Sequence, residues 1–196
     1  KFILITNDDG ITAKGIASLI EATKDLAEVL VVAPDKPQSG MGHAITVNDP
    51  LRFTESKYFN DVKAFTTSGT PVDCVKMGIY QLNGKKPDLI ISGINHGSNC
   101  STNVLYSGTM SAAVEGALEG IPSIGFSLLD YDADADFDAA KKVARKLIKD
   151  ALLNNSIPKG VCLNVNIPKL KYEDIKGIKV CRQATAFWDD TFEERL

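Results

Sequence analysis

Short apolar runs alternate along the chain with longer segments in which apolar residues recur at helical spacing. The runs at residues 2–5, 29–33 and 89–91 are continuous, a pattern typical of parallel strands buried on both faces of a sheet. Helical spacing is clearest over residues 137–152. Three more segments keep a weaker helical period: residues 16–27, 72–82 and 110–118. This alternation of strands and helices predicts an α/β fold built on a mostly parallel sheet.

Other segments add detail to this fold. Thr70, Pro71 and Asp73 predict a helix start, because Thr caps a helix, Pro suits its first turn and the acid can complete a capping box. Residues 161–167 alternate apolar and polar side chains, so we expect a strand with one less buried face. We expect a β-hairpin excursion at residues 44–47 and 51–53. The sequence thus predicts one domain with a short excursion from its sheet.

Composition and charge narrow the functional classes. The 196-residue chain is 44% hydrophobic and 24% charged with a net charge of −3, which fits one globular domain and predicts no broad surface for polymeric nucleic acid. No apolar run approaches the roughly 20 residues of a membrane span. The four cysteines are far apart and form no Cys-x-x-Cys pair. Their spacing argues against a structural zinc site and favours a reducing, cytoplasmic compartment.

Polar clusters follow three of the predicted strands. Asp8 and Asp9 follow the first, Ser39 the second and Asn95 the third. Because ligands bind at the carboxyl ends of parallel strands, these side chains should meet, provided that the chain turns at Gly10. Two carboxylates, a hydroxyl and an amide oxygen suit a hard divalent cation, which would also relieve repulsion between the carboxylates. A plain polar turn at Asp8 and Asp9 is the alternative.

Ser107, Gly108 and Thr109 precede a predicted helix and allow two interpretations. Ser107 or Thr109 could simply cap the helix. Alternatively, the free amides and the hydroxyls at the helix start could bind phosphate. The residue types alone do not separate these roles.

Three further residues resemble catalytic groups. Asp73 is interpreted as the capping acid of the helix that starts after Thr70. His43 is interpreted as an exposed loop histidine. His96, next to Asn95, could face the site as an acid or base, or lie outside it.

Five ordered motifs resemble those of the SurE family of survival proteins. They are ITNDDG at residues 5–10, APD with QSG at 33–40, SGTPVDCV at 68–75, SGIN at 92–95 and YSGT at 106–109. The match is dense over residues 2–115 and looser through NVNIP at 164–168. The resemblance implies a Rossmann-like three-layer sandwich. It also implies a divalent-metal-dependent phosphatase of nucleoside 5'-monophosphates, with 3'-nucleotides and polyphosphate as further substrates.

The matched positions carry implied roles. The resemblance assigns one divalent cation to each subunit, Mg²⁺ or Mn²⁺, with Ca²⁺ as an alternative. Its ligands would be Asp8, Asp9, Ser39 and Asn95. The catalytic residues would be Asp8 and Asp9. The phosphate contacts would be Asn7, Ser107, Gly108 and Thr109. The nucleophile would be either water or the Asp8 carboxylate.

The resemblance also implies a homodimer, or a dimer of dimers, through a C-terminal arm exchanged between subunits. We expect residues 1–168 to form the catalytic domain and residues 169–196 to start the arm, with the chain ending before the arm is complete. The alternative to an enzyme is a non-catalytic nucleotide-binding regulatory domain, since one fold can carry either function. Adjacent carboxylates at Asp8 and Asp9 favour the enzyme, because a pure binding module has little need for them.

Overall fold

Strands and helices alternate along the chain in the computed structural model, which describes residues 1–195. The strands are β1 (Phe2–Thr6), β2 (Glu28–Pro34), β3 (Phe53–Ser56), β4 (Lys63–Thr67), β5 (Leu89–His96), β6 (Ser123–Leu129) and β7 (Cys162–Pro168). The α-helices are α1 (Lys14–Thr23), α2 (Pro71–Gln81), α3 (Gly108–Leu118) and α4 (Asp138–Asn154). The predicted α/β alternation is therefore confirmed.

All seven strands belong to one sheet, in the order β3-β4-β2-β1-β5-β6-β7. Neighbouring strands are parallel, except that β3 runs antiparallel to β4. The chain places β2 on one side of β1 and β5 on the other, so the strand order reverses at β1. In open α/β sheets, ligands bind beyond the carboxyl ends of the strands at such a reversal.

Helices cover both faces of the sheet and make it the middle of three layers. On one face α1 and α4 pack over Ile3, Ile5 and other strand residues. On the other face α2 and α3 pack over Leu4 and Ile90. The continuous apolar run of β1 is explained by this arrangement, because successive side chains enter two different cores. The predicted Rossmann-like three-layer sandwich is confirmed.

The antiparallel excursion lies later in the chain than predicted. Residues 44–47 form no strand, and β3 pairs with β4 instead. The reason is that this stretch bonds to the start of α2. Thr46 donates its amide and hydroxyl to Asp73, and the Ala44 carbonyl accepts from the Thr70 hydroxyl at 2.7 Å. Polar groups that a partner strand would have used are thus satisfied by a helix cap.

The last strand and the segment after it are less buried than the rest. Residues 162–166 of β7 are half-buried, as expected for an edge strand with one covered face. A short 3₁₀ turn at Tyr172–Asp174 follows, and residues 175–195 have no regular secondary structure. Within residues 1–195, none of the helices combines the length and the apolar character needed to cross a membrane.

Candidate active site

The carboxylate of Asp8 lies against the start of α3. Asp8 follows β1 and is only 4% exposed, and its Oδ1 accepts a hydrogen bond from the Thr109 hydroxyl at 2.5 Å. A Cβ atom on Gly108 would lie 2.6 Å from the Asp8 Cβ, so only glycine permits this approach. Asp8, Gly108 and Thr109, which the sequence predicted to share a site, are therefore in contact.

The two hydroxyls at the start of α3 have different roles. Ser107 is the cap, because its hydroxyl accepts a hydrogen bond from the Met110 amide at 3.0 Å. Thr109 is fully buried and donates across to Asp8 instead. The structure therefore identifies Ser107 as the cap, and phosphate binding at Ser107, Gly108 and Thr109 stays a prediction. The other predicted cap is confirmed, since Thr70 and Asp73 form a capping box at α2.

The turn after β1 brings the β2 loop to Asp8. Asn7 donates its side-chain amide to the Gly10 carbonyl at 2.9 Å, and Gly10 has a positive φ of 92° that favours glycine. The Asp8 carbonyl then accepts from the Gln38 amide at 2.7 Å. This bond places Ser39, the next residue, beside the Asp8 segment, with its side chain exposed.

Asn95 occupies the end of β5, the strand next to β1. The pairing of β5 with β6 is irregular between Ser92 and Asn95, where the strand leaves the regular ladder. The amide nitrogen of Asn95 donates to the carbonyls of His96 and Gly97 at 2.8 and 3.0 Å. Both N–H groups are used in this way, which leaves the side-chain Oδ1 as an acceptor for a cation or a polar ligand.

Within the part of the chain that the structure describes, the two adjacent aspartates have no positive partner. Burial, followed by repulsion from Asp9, raises the pKa of Asp8 to about 6. Burial also raises the pKa of Asp9, and a backbone interaction with His96 only partly opposes that effect. Within residues 1–195, the Oδ2 atom of Asp9 and the Oδ1 atom of Asn7 are buried without a hydrogen-bond partner. Unpaired buried oxygens of this kind fit a divalent cation.

The donor set is made of oxygen atoms from different residue types. Residues 1–195 contain no cluster of three or more histidine, cysteine, aspartate and glutamate side chains suited to a metal. The ligand set predicted from the sequence adds the hydroxyl of Ser39 and the amide oxygen of Asn95 to the two carboxylates. Such a set favours Mg²⁺ or Mn²⁺ over metals that prefer nitrogen or sulfur ligands.

The two histidines have different surroundings. The ring of His96 packs edge-to-face on Phe137 with ring centroids 5.0 Å apart, in the apolar layer that includes α4. His43 is an exposed loop histidine, as predicted, and its Nε2 lies 2.9 Å from the buried Glu115 carboxylate. Glu115 alone could have been singled out in the sequence, since a charged residue inside an apolar helix needs a partner. Its partner on a distant loop could not.

Known proteins resemble this chain over nearly its whole length. The family model for the survival protein SurE matches residues 3–190. A 5'-nucleotidase SurE from Christiangramia forsetii is 59% identical over 196 residues, covering 98% of this chain and 75% of that protein. Another from Flavobacterium psychrophilum is 56% identical, with the same two coverages.

The fold agrees with the sequence comparison. The crystal structure of a SurE protein from Aquifex aeolicus matches with a TM-score of 0.85 at 46% identity, covering 94% of this chain and 73% of that one. The family match spans both the sheet and the polar loops at its carboxyl edge. The resemblance carried by the five sequence motifs is therefore confirmed, and the chain belongs to the SurE family.

Proposed function

We propose that this protein is a divalent-metal-dependent phosphomonoesterase that hydrolyses nucleoside 5'-monophosphates to nucleoside and phosphate. The observation that carries the proposal is the adjacent pair of buried Asp8 and half-buried Asp9, which has no basic partner within residues 1–195. Asp8 lies against the start of α3. The relatives named above are 5'-nucleotidases, and their similarity extends over 98% of this chain. Turnover of 3'-nucleotides and of polyphosphate belongs to the same proposal.

One divalent cation, Mg²⁺ or Mn²⁺ with Ca²⁺ as the alternative, would be held by Asp8, Asp9, Ser39 and Asn95. Asp8 and Asp9 supply negative charge that no side chain of residues 1–195 neutralises. Ser39 and Asn95 supply neutral oxygen atoms from the neighbouring loops. When bound, such an ion withdraws charge from a phosphoryl oxygen and so stabilises the charge that develops during hydrolysis.

The start of α3 would hold the phosphate. Ser107 caps the Met110 amide and thereby fixes the first turn, while the amides of Gly108 and Thr109 lie at the positive end of the helix dipole. Gly108 has no side chain to block an approaching anion. Asn7 shapes the adjoining turn through its bond to Gly10, and one further N–H of its amide is available for phosphate.

Two nucleophiles are compatible with this arrangement. Attack by the Asp8 carboxylate would release the nucleoside and leave an aspartyl phosphate, which water would then cleave. Direct attack by water would leave no covalent intermediate. Rapid acid quench during the first turnover with a ³²P-labelled nucleotide separates the two routes, because only the first transfers label to protein.

A substrate panel tests the proposed function. Phosphate release is measured from 5'-AMP, 3'-AMP, polyphosphate and glycerol phosphate with Mg²⁺, Mn²⁺, Ca²⁺, Zn²⁺ or excess chelator. We expect turnover of 5'-AMP with Mg²⁺ or Mn²⁺, less with Zn²⁺, and reversible loss with chelator. Asp9→Asn is the inactive control. Full activity in chelator would refute the metal requirement, and tight 5'-AMP binding without turnover would favour the regulatory-domain alternative.

The domain division and the assembly are part of the proposal. We assign residues 1–168 to the catalytic domain and residues 169–196 to the start of an arm that joins two or four copies. Val180, Phe187 and Phe192 are each at least 90% exposed, and apolar side chains of that size call for a covering surface. The absence of disulfides among the four cysteines in residues 1–195 supports a reducing compartment such as the cytoplasm.

A further inference from the structure

The loop that carries Ser39 spans residues 35–52 and contains no regular secondary structure. Hydrogen bonds hold its two ends. The Gln38 amide donates to the Asp8 carbonyl near the start, and Thr46 donates to Asp73 near the end. Ser39 lies between these anchors with its side chain exposed. The Gln38 bond fixes the backbone before Ser39, and the position of the backbone after Ser39 depends on what holds the middle of the loop.

His43 makes the side-chain contact in the middle of the loop. Its Nε2 lies 2.9 Å from Oε2 of Glu115, a residue of α3 whose side chain is 7% exposed. The backbone also comes close here, because the Gly42 amide donates to the Tyr106 carbonyl at 3.3 Å. A Cβ atom on Gly42 would lie only 2.9 Å from the Leu105 carbonyl oxygen. The loop thus packs on the segment that leads directly into α3.

Glu115 is held as a carboxylate from two directions. Burial acts to raise the pKa of Glu115, but the bonds and charges of Lys76 and His43 together hold that pKa below its usual value. Lys76 belongs to α2 and places its Nζ 2.5 Å from Oε1 of Glu115, on the other carboxylate oxygen. A buried carboxylate needs such partners, and Lys76 remains as one of them if His43 is removed.

We infer that His43 is a positioning residue for the cation site, which holds the Ser39 loop against α3 through Glu115. The first turn of α3 contacts Asp8 through Thr109, and Glu115 lies about two turns further along the same helix. One rigid helix therefore fixes both the Asp8 carboxylate and the loop with Ser39. The inference rests on the proposed function only in taking Ser39 as a cation ligand.

Three variants separate this role from simple stabilisation. His43→Ala removes the contact, and His43→Gln keeps a donor of similar length. Lys76→Met removes the other partner of Glu115 without touching the loop. Mn²⁺ alone is titrated into the chelator-treated, dialysed full chain by calorimetry. Hydrogen exchange is then followed over residues 39–43 with and without Mn²⁺, and thermal unfolding is recorded for each variant.

We expect His43→Ala to bind Mn²⁺ about tenfold more weakly, the effect of losing one hydrogen bond to a charged group, and to exchange faster over residues 39–43. His43→Gln should recover most of the affinity. Lys76→Met should lower the unfolding temperature but leave Mn²⁺ affinity near that of the wild type. In the wild type, Mn²⁺ should slow exchange over residues 39–43.

Two results would overturn the inference. One is wild-type Mn²⁺ affinity and loop exchange in His43→Ala, and the other is an equal loss of affinity in Lys76→Met. If His43→Ala folds poorly, the wild type alone still provides a test. Hydrogen exchange over residues 39–43 that does not change on adding Mn²⁺ would overturn the inference. These measurements use no nucleotide, so a failure to hydrolyse 5'-AMP would count against the proposed function and leave this test intact.

Discussion

Replacing Asp8 by Asn should stabilise the metal-free protein at neutral pH while it removes catalysis. Asp8 is buried beside Asp9, and its pKa is raised to about 6, first by burial and then by the Asp9 charge. Asn has nearly the same size, and its Oδ1 can still accept the hydrogen bond from the Thr109 hydroxyl. The substitution therefore removes a buried charge and keeps the packing.

The raised pKa of Asp8 sets the size of the stability gain in Asp8→Asn and the pH range over which it is seen. A shift from 3.8 to about 6 corresponds to about 3 kcal/mol at ~1.4 kcal/mol per unit. Well below pH 3.8 the carboxyl is protonated in both the folded and the unfolded chain, so it does not affect stability. Between pH 4 and 6 the unfolded chain releases its proton first, and the folded state loses stability. Above pH 6 the whole destabilisation is present, and Asp8→Asn should remove it.

Urea unfolding in excess chelator from pH 4.5 to pH 8 measures this difference. Asp8→Asn should exceed the wild type by about 2–3 kcal/mol at pH 7, with the gap narrowing toward pH 4.5. The matched control is Asp61→Asn, because Asp61 is half-exposed and pairs with Lys24. Its removal should be neutral or slightly destabilising. Saturating Mn²⁺ should stabilise the wild type and not Asp8→Asn, which reverses their order.

Asp8→Asn should lower kcat even though it stabilises the metal-free protein. Loss of a cation ligand or nucleophile at Asp8 should reduce kcat roughly a thousandfold or more. Two results would refute the reasoning from burial. One is a stability gap that is equal at pH 4.5 and pH 7, and the other is an Asp8→Asn protein less stable than the wild type in chelator. A variant with half the wild-type activity would remove Asp8 from the site.

Three further predictions concern α3 and the C-terminal segment. Thr109→Ala should lower kcat/KM about ten- to a hundredfold by removing the bond to Asp8, with Ser107 still capping the helix; unchanged kinetics and unchanged inhibition by inorganic phosphate would contradict this. Gly108→Ala should displace Asp8 and abolish Mn²⁺ binding in calorimetry, because its Cβ would lie 2.6 Å from that of Asp8. A chain ending at Ile167 should shift toward monomer in light scattering, and an unchanged mass would exclude the arm as the interface.

The regular parts of the fold could be predicted because local pattern and tertiary packing agree there. The apolar run at Ile3, Leu4 and Ile5 indicated a doubly covered strand, and its side chains do alternate between two cores. Thr70 and Asp73 predicted the capped start of α2 from local chemistry alone. The strand expected at residues 44–47 failed because distant hydroxyl and carboxylate groups compete for its backbone, which no local pattern reveals.

The sequence could predict which strand ends carry the candidate site, but not the contacts made there. Polar residues at the ends of β1 and β5 meet because the two strands are neighbours, and that follows from the topology. Whether Ser107 or Thr109 caps α3 depends on which hydroxyl faces Asp8, and that is set by the packing of the helix on the sheet. The pairing of His43 with Glu115 is a contact between distant segments for the same reason.

The lower stability that we expect of the metal-free site and its proposed selectivity for a cation have one physical cause. A basic side chain beside Asp8 and Asp9 would neutralise the pair and stabilise the empty protein, but it would also occupy the position of a cation. The chain instead leaves the Oδ2 atom of Asp9 buried and without a partner in residues 1–195, and holds Asp8 in place with the neutral hydroxyl of Thr109. Stability lost at these two residues is offset by the two apolar cores on either side of the sheet. A site organised in this way lacks a positive protein charge, and a bound cation would supply that charge.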